Sequence, residues 1–245
     1  MYIEPQIIAI LGIILFAIFI RAIFGFGDAL IEMPLIAVII GIKSTTPLVA
    51  LLANTVAVFI LIKDWKKIQF KSVWPLVVSS ALGIPIGLIF LKEINEAIVK
   101  SILAVIIITF SVYNLLKPEI LRLKSEKSAW AFGFVAGILG GAYNTNGPPV
   151  VIYGTLRKWP PKTFRATLQG FFLPTGLMII SGHAISGLWT TAVWRLYIFA
   201  LPVLISAYFI GNRLNKSIRK EKFEKYIHIL LISIGLYLLF QSIWH

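Results

Sequence analysis

The chain has 245 residues, of which 58% are hydrophobic and 13% are charged, and its mean hydropathy is +0.90. A soluble domain is about half apolar and a quarter charged, so a water-soluble enzyme of this length could not bury so much apolar surface and lipid must cover it. The chain has no cysteine, which excludes disulfides, thiol catalysis, iron–sulfur clusters and thiolate zinc sites.

Ten apolar segments follow one another along the chain and predict an all-α polytopic membrane protein. The first segment, 5–24, is about 30 Å long as a helix, which is enough to cross a bilayer. The seventh, 148–156, reaches only about 13 Å. The segments are predicted at 5–24, 28–42, 47–62, 73–91, 98–116, 129–143, 148–156, 166–182, 191–210 and 227–243.

The placement of the basic residues predicts the topology. The net charge is +13, but most Lys and Arg residues lie in four short loops between apolar segments, which is typical of cytoplasmic loops and not of a nucleic-acid partner. With the N-terminus outside, 18 of the 23 basic residues fall in inside loops, and only Lys43, Lys92 and Lys100 fall outside. We therefore expect a multi-pass protein of the cell membrane with both termini extracytoplasmic.

Two related halves are predicted, with a repeat at 1–117, a cytoplasmic linker at 118–128 and a second repeat at 129–245. Gly27 precedes Pro34 by seven residues, and Gly141 precedes Pro148 by the same spacing. Five segments per half is an odd number, so the repeats would be inverted in the membrane, as in many secondary transporters. The pairs 1–2 and 6–7 either span fully or form re-entrant hairpins, since both arrangements give the same charge count.

Glycine, proline and polar residues interrupt the apolar pattern once in each half. Such backbone must face protein or a cavity, because unsatisfied backbone groups are costly in lipid. Asp28 can cap the second segment, and Pro148 suits the first turn of a helix, so two helix N-termini would point inward and favour an anion. The predicted substrate-binding residues are Gly25, Gly27, Asn144, Thr145, Asn146, Gly147, Pro148 and Arg21.

Four ionisable residues lie within apolar segments, where each is costly and therefore a functional candidate. Asp28 and Glu32 are four residues apart, so they share a helix face, and one of them could carry a coupling proton. Arg21 either contributes charge to the anion site or neutralises one of these carboxylates. Arg195 either contacts the anion or extends toward the membrane surface.

Asn54 and Gln169 are secondary candidates. They lie in corresponding third segments of the two halves, where they either face a shared cavity or form hydrogen bonds between helices. No His, Asp and Glu residues occur together at metal-ligand spacing, so neither a metal nor another cofactor is predicted.

The interruptions resemble those of the TauE/SafE family, also called the sulfite exporter or DUF81 family. The resemblance covers almost the whole chain and rests on a set of short motifs. They are Gly25-Phe26-Gly27, Pro34-Leu35, Gly137, Gly140-Gly141, Gly147-Pro148-Pro149 and Arg165-Ala166-Thr167. The resemblance implies a carrier of two related halves that moves sulfite, organosulfonates or other small organic anions, usually outward. The chain carries Asp28 where a further glycine is common in the family.

We therefore predict a secondary transporter that exposes one midplane anion site alternately to the two sides of the membrane. Its predicted partners are a small anion, protons and membrane lipid. A cation/proton antiporter centred on Asp28 and Glu32 is the alternative within transport. An intramembrane enzyme is a weaker alternative, because the sequence has no His pair and no Ser/His/Asp grouping. A structural or lipid-interacting subunit would need neither buried carboxylates nor broken helices.

Overall fold

The computed structural model describes residues 5–116, 123, 125–214 and 220–244, and all its regular structure is helical. Ten α-helices follow in chain order, with a short 3₁₀ turn, Trp65–Lys67, after the third. The helices are α1 (Pro5–Phe24), α2 (Asp28–Ile40), α3 (Ile42–Asp64), α4 (Phe70–Glu93), α5 (Glu96–Leu116), α6 (Ser128–Tyr143), α7 (Gly147–Leu156), α8 (Pro161–Ile185), α9 (Thr191–Leu214) and α10 (Lys220–Trp244). The predicted all-α fold class is confirmed.

Seven described helices are long and apolar enough to cross a membrane, namely α1, α3, α4, α5, α8, α9 and α10. α2 and α7 are much shorter, at 13 and 10 residues, or about 20 Å and 15 Å. Each of the two short helices follows a break in the helical structure, where three non-helical residues separate it from the helix before it. The chain is therefore a multi-pass membrane protein with two interrupted helix pairs.

Three helices begin five or more residues before their predicted segments, namely α3, α8 and α10, and the start of α3 has a clear structural cause. We expected the segment to begin at residue 47, but α3 begins at Ile42, and Gly41 alone separates it from α2. The Glu96 carboxylate accepts a hydrogen bond from the Ile42 backbone N–H at 3.1 Å. The hydroxyls of Thr45 and Thr46 donate to the carbonyls one turn earlier. These bonds satisfy polar groups that the hydropathy pattern assigned to a loop.

The helix packing has the same pattern in both halves if α1 to α5 are taken to correspond to α6 to α10 in order. α1 packs along α9 and α6 packs along α4, while α5 pairs with α10 and α3 with α8. This exchange is what two related halves would produce. The repeat itself and its boundaries at 1–117 and 129–245 stay a prediction, and residues 118–122 and 124 of the linker lie outside the described residues.

Close glycine contacts join α4 to α6. A methyl group added to Gly83 would meet the Phe134 carbonyl oxygen, and one added to Gly137 would meet the Ser80 carbonyl oxygen. The Ser80 hydroxyl also donates to the Gly133 carbonyl at 2.6 Å. Small residues let the two backbones approach closely, which is the usual basis of helix association in lipid.

Loops that the charge count assigns to one side of the membrane lie together. Lys43 donates to the Lys92 carbonyl at 3.1 Å, which joins two loops predicted to be outside. Arg157 lies 3.6 Å from Glu126, which joins two loops predicted to be inside. The sides of the membrane on which these two groups lie remain a prediction.

We expect single cysteines at Lys67 and Glu126 in this cysteine-free chain to be shielded from an impermeant thiol reagent in intact cells, while one at Ser186 is labelled. The reason is the excess of Lys and Arg residues in the loops that contain the first two positions. Labelling in permeabilised cells is the control for reactivity at each site. The opposite labelling pattern would place both termini in the cytoplasm.

Candidate functional site

The two non-helical interruptions, residues 25–27 between α1 and α2 and residues 144–146 between α6 and α7, meet at one cavity. The cavity has a volume of about 30 Å³ and lies between α3 and α8. Six polar side chains, six apolar side chains and three glycines form its wall. The lining residues are Arg21, Phe26, Gly27, Asp28, Ala29, Leu30, Ala53, Asn54, Asn144, Thr145, Asn146, Gly147, Pro148, Phe172 and Gly176.

The break between α1 and α2 depends on two glycines with left-handed backbone. Gly25 has φ 88° and Gly27 has φ 102°, a region that side chains with a Cβ rarely adopt. The Gly25 N–H donates to the Arg21 carbonyl at 2.7 Å and closes the last turn of α1. α2 then begins at Asp28, so its N-terminus opens onto the cavity.

Arg21 is the centre of a buried hydrogen-bond network. Its Nη1 contacts the Asp28 Oδ2 at 2.5 Å, and its Nη2 donates to the Gln169 Oε1 at 2.8 Å. Gln169 in turn donates through Nε2 to the Gly25 carbonyl at 2.6 Å. The network balances the Arg21 charge with Asp28 and ties the first break to α8. Arg21 thus neutralises a carboxylate and lines the cavity as well.

Glu32 lies one turn beyond Asp28 in α2 and is fully buried. Neither of its carboxylate oxygens has a hydrogen-bond partner among the described residues, and Glu32 does not line the cavity. The two predicted coupling residues therefore have different surroundings, because Asp28 is ion-paired and Glu32 is not.

The break between α6 and α7 presents hydrogen-bond donors to the cavity. Asn144 adopts left-handed backbone with φ 53° and ends α6. The Thr145 hydroxyl is buried and has no partner among the described residues, while the Asn146 Nδ2 donates to the Thr175 hydroxyl at 3.3 Å. α7 begins at Gly147 with Pro148 in its first turn.

The structure separates the three secondary candidates. Asn54 lines the cavity, donates to the Ala50 carbonyl at 3.0 Å, and has a buried Oδ1 without a partner in the described part of the chain. Gln169 belongs to the Arg21 network and lies behind the cavity wall. Arg195 is exposed on α9 and is not among the lining residues.

Several lining residues carry no sequence signature. Phe172 places its ring 5.5 Å from the Arg21 guanidinium carbon, and Gly176 lies so close to Asn54 that a Cβ would meet its amide. Phe26 and Ala53 complete the apolar wall. Such residues are common in any membrane helix, so only the helix packing shows that they reach the site. No three His, Asp or Glu side chains converge as metal ligands within the described ranges.

Seven helices of membrane-spanning length and two broken helices around a buried polar cavity define the class, a multi-pass membrane protein with its site between the two breaks. The sequence model of the family described as sulfite exporter TauE/SafE matches residues 10–238. The chain therefore belongs to the TauE/SafE family, which confirms the resemblance and indicates a transporter of sulfite or related anions. Comparisons with curated proteins and with solved structures give no significant match.

Proposed function

We propose that the protein is a secondary transporter of the cell membrane that exports a small anion such as sulfite, a sulfonate or a related organic acid. The main support for this proposal is that two helix N-termini, those of α2 and α7, open onto one buried cavity. Helix N-termini attract anions through free N–H groups and the helix dipole. Broken helices meeting at a central site are also typical of secondary transporters.

The α7 end of the cavity is the better place for the substrate. The α2 N-terminus already carries the Asp28 carboxylate, whereas the first turn of α7 has no acidic residue. The unpartnered Thr145 hydroxyl and the Asn146 amide add side-chain donors there. We propose that the substrate oxygens bind these donors and the backbone at Gly147, with Arg21, whose charge Asp28 balances, as a further hydrogen-bond donor on the cavity wall.

The size of the cavity supports alternating access. A volume of about 30 Å³ has room for about two water molecules, which is less than a sulfite ion and its contacts need. We propose that the helices move apart to admit the substrate. The crossing of α3 and α8 beside the cavity is a suitable place for the two halves to rock against each other.

The surroundings of the acids favour an anion carrier over the alternative cation/proton antiporter. Asp28 is neutralised by Arg21, and Glu32 does not reach the cavity, so no free carboxylate lines it among the described residues. Glu32 is the better candidate for a coupling proton, because a buried carboxylate without partners is costly unless it is protonated. An enzymatic role is not proposed.

Uptake by proteoliposomes is the direct test of this function. We expect purified protein to move labelled sulfite or a sulfonate from an anion and cation panel, with a response to a pH gradient. Protein-free liposomes and a Na⁺ or K⁺ flux assay are the controls. Transport of cations but not anions would contradict the proposal and support the antiporter.

We expect Asn146→Ala and Gly147→Leu each to lower anion flux at least about tenfold. Asn146→Ala removes a hydrogen-bond donor to the anion, and Gly147→Leu places a side chain beside Phe172 in the site. The measurement is initial flux beside melting temperature in detergent. Asn114→Ala in α5 is a matched control, because among the described residues the Asn114 side chain bonds only the Phe110 carbonyl in its own helix, and it is not part of the cavity lining. Full flux in both site variants at normal stability would assign this break to packing.

A further inference from the structure

A second arginine, Arg165, contacts the glycine turn between α1 and α2 at Gly25. A Cβ added to Gly25 would lie 2.7 Å from the Arg165 Cγ, so the two residues are in tight contact. Arg165 does not line the cavity. The bonds of Gln169 to Gly25 and Arg21 lie between the two arginines. A single layer of contacts thus separates Arg165 from the site.

Arg165 has only neutral hydrogen-bond partners among the described residues. Its Nη1 donates to the Asn212 Oδ1 at 3.2 Å, and it shares a side-chain hydrogen bond with Tyr208. Its Nε–H is buried without an acceptor, and none of the ion pairs found in the described ranges includes Arg165. Arg21, by contrast, has Asp28. The Asp64 carboxylate acts on Arg165 only from beyond ion-pair distance and is itself paired with Lys67 at 2.6 Å. A half-buried guanidinium with no carboxylate at ion-pair distance is costly unless an anion neutralises it.

The surroundings of Arg165 favour the approach of an anion. Gln69, just after the 3₁₀ turn, donates to the hydroxyls of Thr163 and Thr167 on α8, so this turn and its exposed Lys66 lie near the start of α8, which contains Arg165. Lys67 in the same turn is paired with Asp64. The positive charge of Lys66 adds to the attraction of anions to this region. The buried Nε–H groups of Arg21 and Arg165 both lack acceptors among the described residues.

We propose that Arg165 is an entry station, a second anion site at which a small oxyanion binds before it passes Gln169 and Gly25 to reach the cavity. This inference rests on the proposed function. The planar guanidinium suits such a ligand, because its N–H groups can engage two oxygens of an oxyanion at once. The anion would be the partner at ion-pair distance that Arg165 lacks among the described residues, and it would leave the Asn212 contact intact.

Equilibrium dialysis of labelled sulfite with the detergent-solubilised full chain tests the entry station. We expect two sites per wild-type chain, one site in Arg165→Gln, one site in Asn146→Ala and none in the double variant. Arg213→Gln is the matched control, because it removes an exposed arginine next to Asn212 and should leave two sites. In proteoliposomes, Arg165→Gln should lower flux at low sulfite roughly tenfold or more and leave the maximal flux unchanged.

Two results would overturn the entry station. One is loss of all sulfite binding in Asn146→Ala alone, and the other is an unchanged number of sites in Arg165→Gln. If Arg165→Gln does not fold, Arg165→Lys is the variant to measure. Lysine keeps the positive charge but lacks the paired N–H donors of the guanidinium, so it should bind the second sulfite about tenfold more weakly. Two sites with no sulfite transport would support a second anion site at Arg165 but contradict both its role in entry and the proposed function, whereas transport with a single site would support the proposed function and contradict the second site. No sulfite binding by the wild type would overturn both for this anion.

Discussion

Asp28→Asn is expected to destabilise the protein by about 3–5 kcal/mol, because it leaves the Arg21 guanidinium buried without its counter-charge. Asp28 and Arg21 are both almost fully buried, and their side chains are 2.5 Å apart. The melting temperature in detergent and the fraction of folded protein at rising SDS content measure the loss. Arg21→Gln should be destabilising as well, and the double variant should recover part of the loss because no unpaired charge remains.

Glu32→Gln is the matched comparison, since it makes the same carboxylate-to-amide change one turn away. Glu32 has no partner to lose in the described part of the chain, so its amide should keep the stability of the wild type. If Glu32 carries the coupling proton, the amide imitates the protonated form, and flux should lose its dependence on the pH gradient while anion exchange remains. A fully active Glu32→Gln protein with normal pH dependence would exclude Glu32 as the proton carrier.

Normal stability in Asp28→Asn, by contrast, would contradict the structural role of the ion pair between Arg21 and Asp28.

Gly87→Ala is expected to destabilise the protein by about 3 kcal/mol or more, because the added methyl would overlap backbone that cannot move aside easily. Gly87 lies on α4 against α6, and its Cβ would meet the Ile138 carbonyl oxygen and lie 2.7 Å from the Ala142 backbone nitrogen. In an ordinary helix, glycine to alanine is stabilising by roughly 0.5–1 kcal/mol. The contact between helices thus reverses the sign of the effect. Unfolding at rising SDS content gives the free energy.

Gly12→Ala on α1 is the control for helix propensity. Nothing lies within 4 Å of a Cβ at Gly12, and the residue is exposed. The same substitution should therefore be neutral or stabilising there. Equal effects at positions 12 and 87 would show that α4 and α6 are not in close contact.

The order and type of the helices could be predicted from sequence because hydropathy along one helix is a local property. All ten predicted segments are helices, and even the nine-residue segment 148–156 corresponds to α7. The start of α3 was missed because Glu96, more than fifty residues away, caps it. Side-chain and backbone partners of this kind come from distant parts of the chain and leave no mark in a local pattern.

The breaks could be located from sequence, but not which polar groups would pair across them. Glycine and proline showed where the helices end, whereas the choice of Asp28 over Glu32 as partner of Arg21 depends on the turn at Gly25 and Gly27. The partners of Arg165 likewise come from other helices, as its hydrogen bond to Asn212 of α9 shows. The functional roles of all these residues remain predictions, and the structure shows only which of them lie together.

The exchange of helix partners between the halves has a consequence for how the chain can be divided. α4 packs on α6 and α9 packs on α1, so each half donates one long helix to a bundle built around the other. A cut between α5 and α6 would give two fragments that each lack the main packing partner of their first helix. Neither fragment would be an autonomous folding unit, and the two would have to be made together and interlock in the membrane. The stability of the protein therefore depends on the contacts between the two halves and not on either half alone.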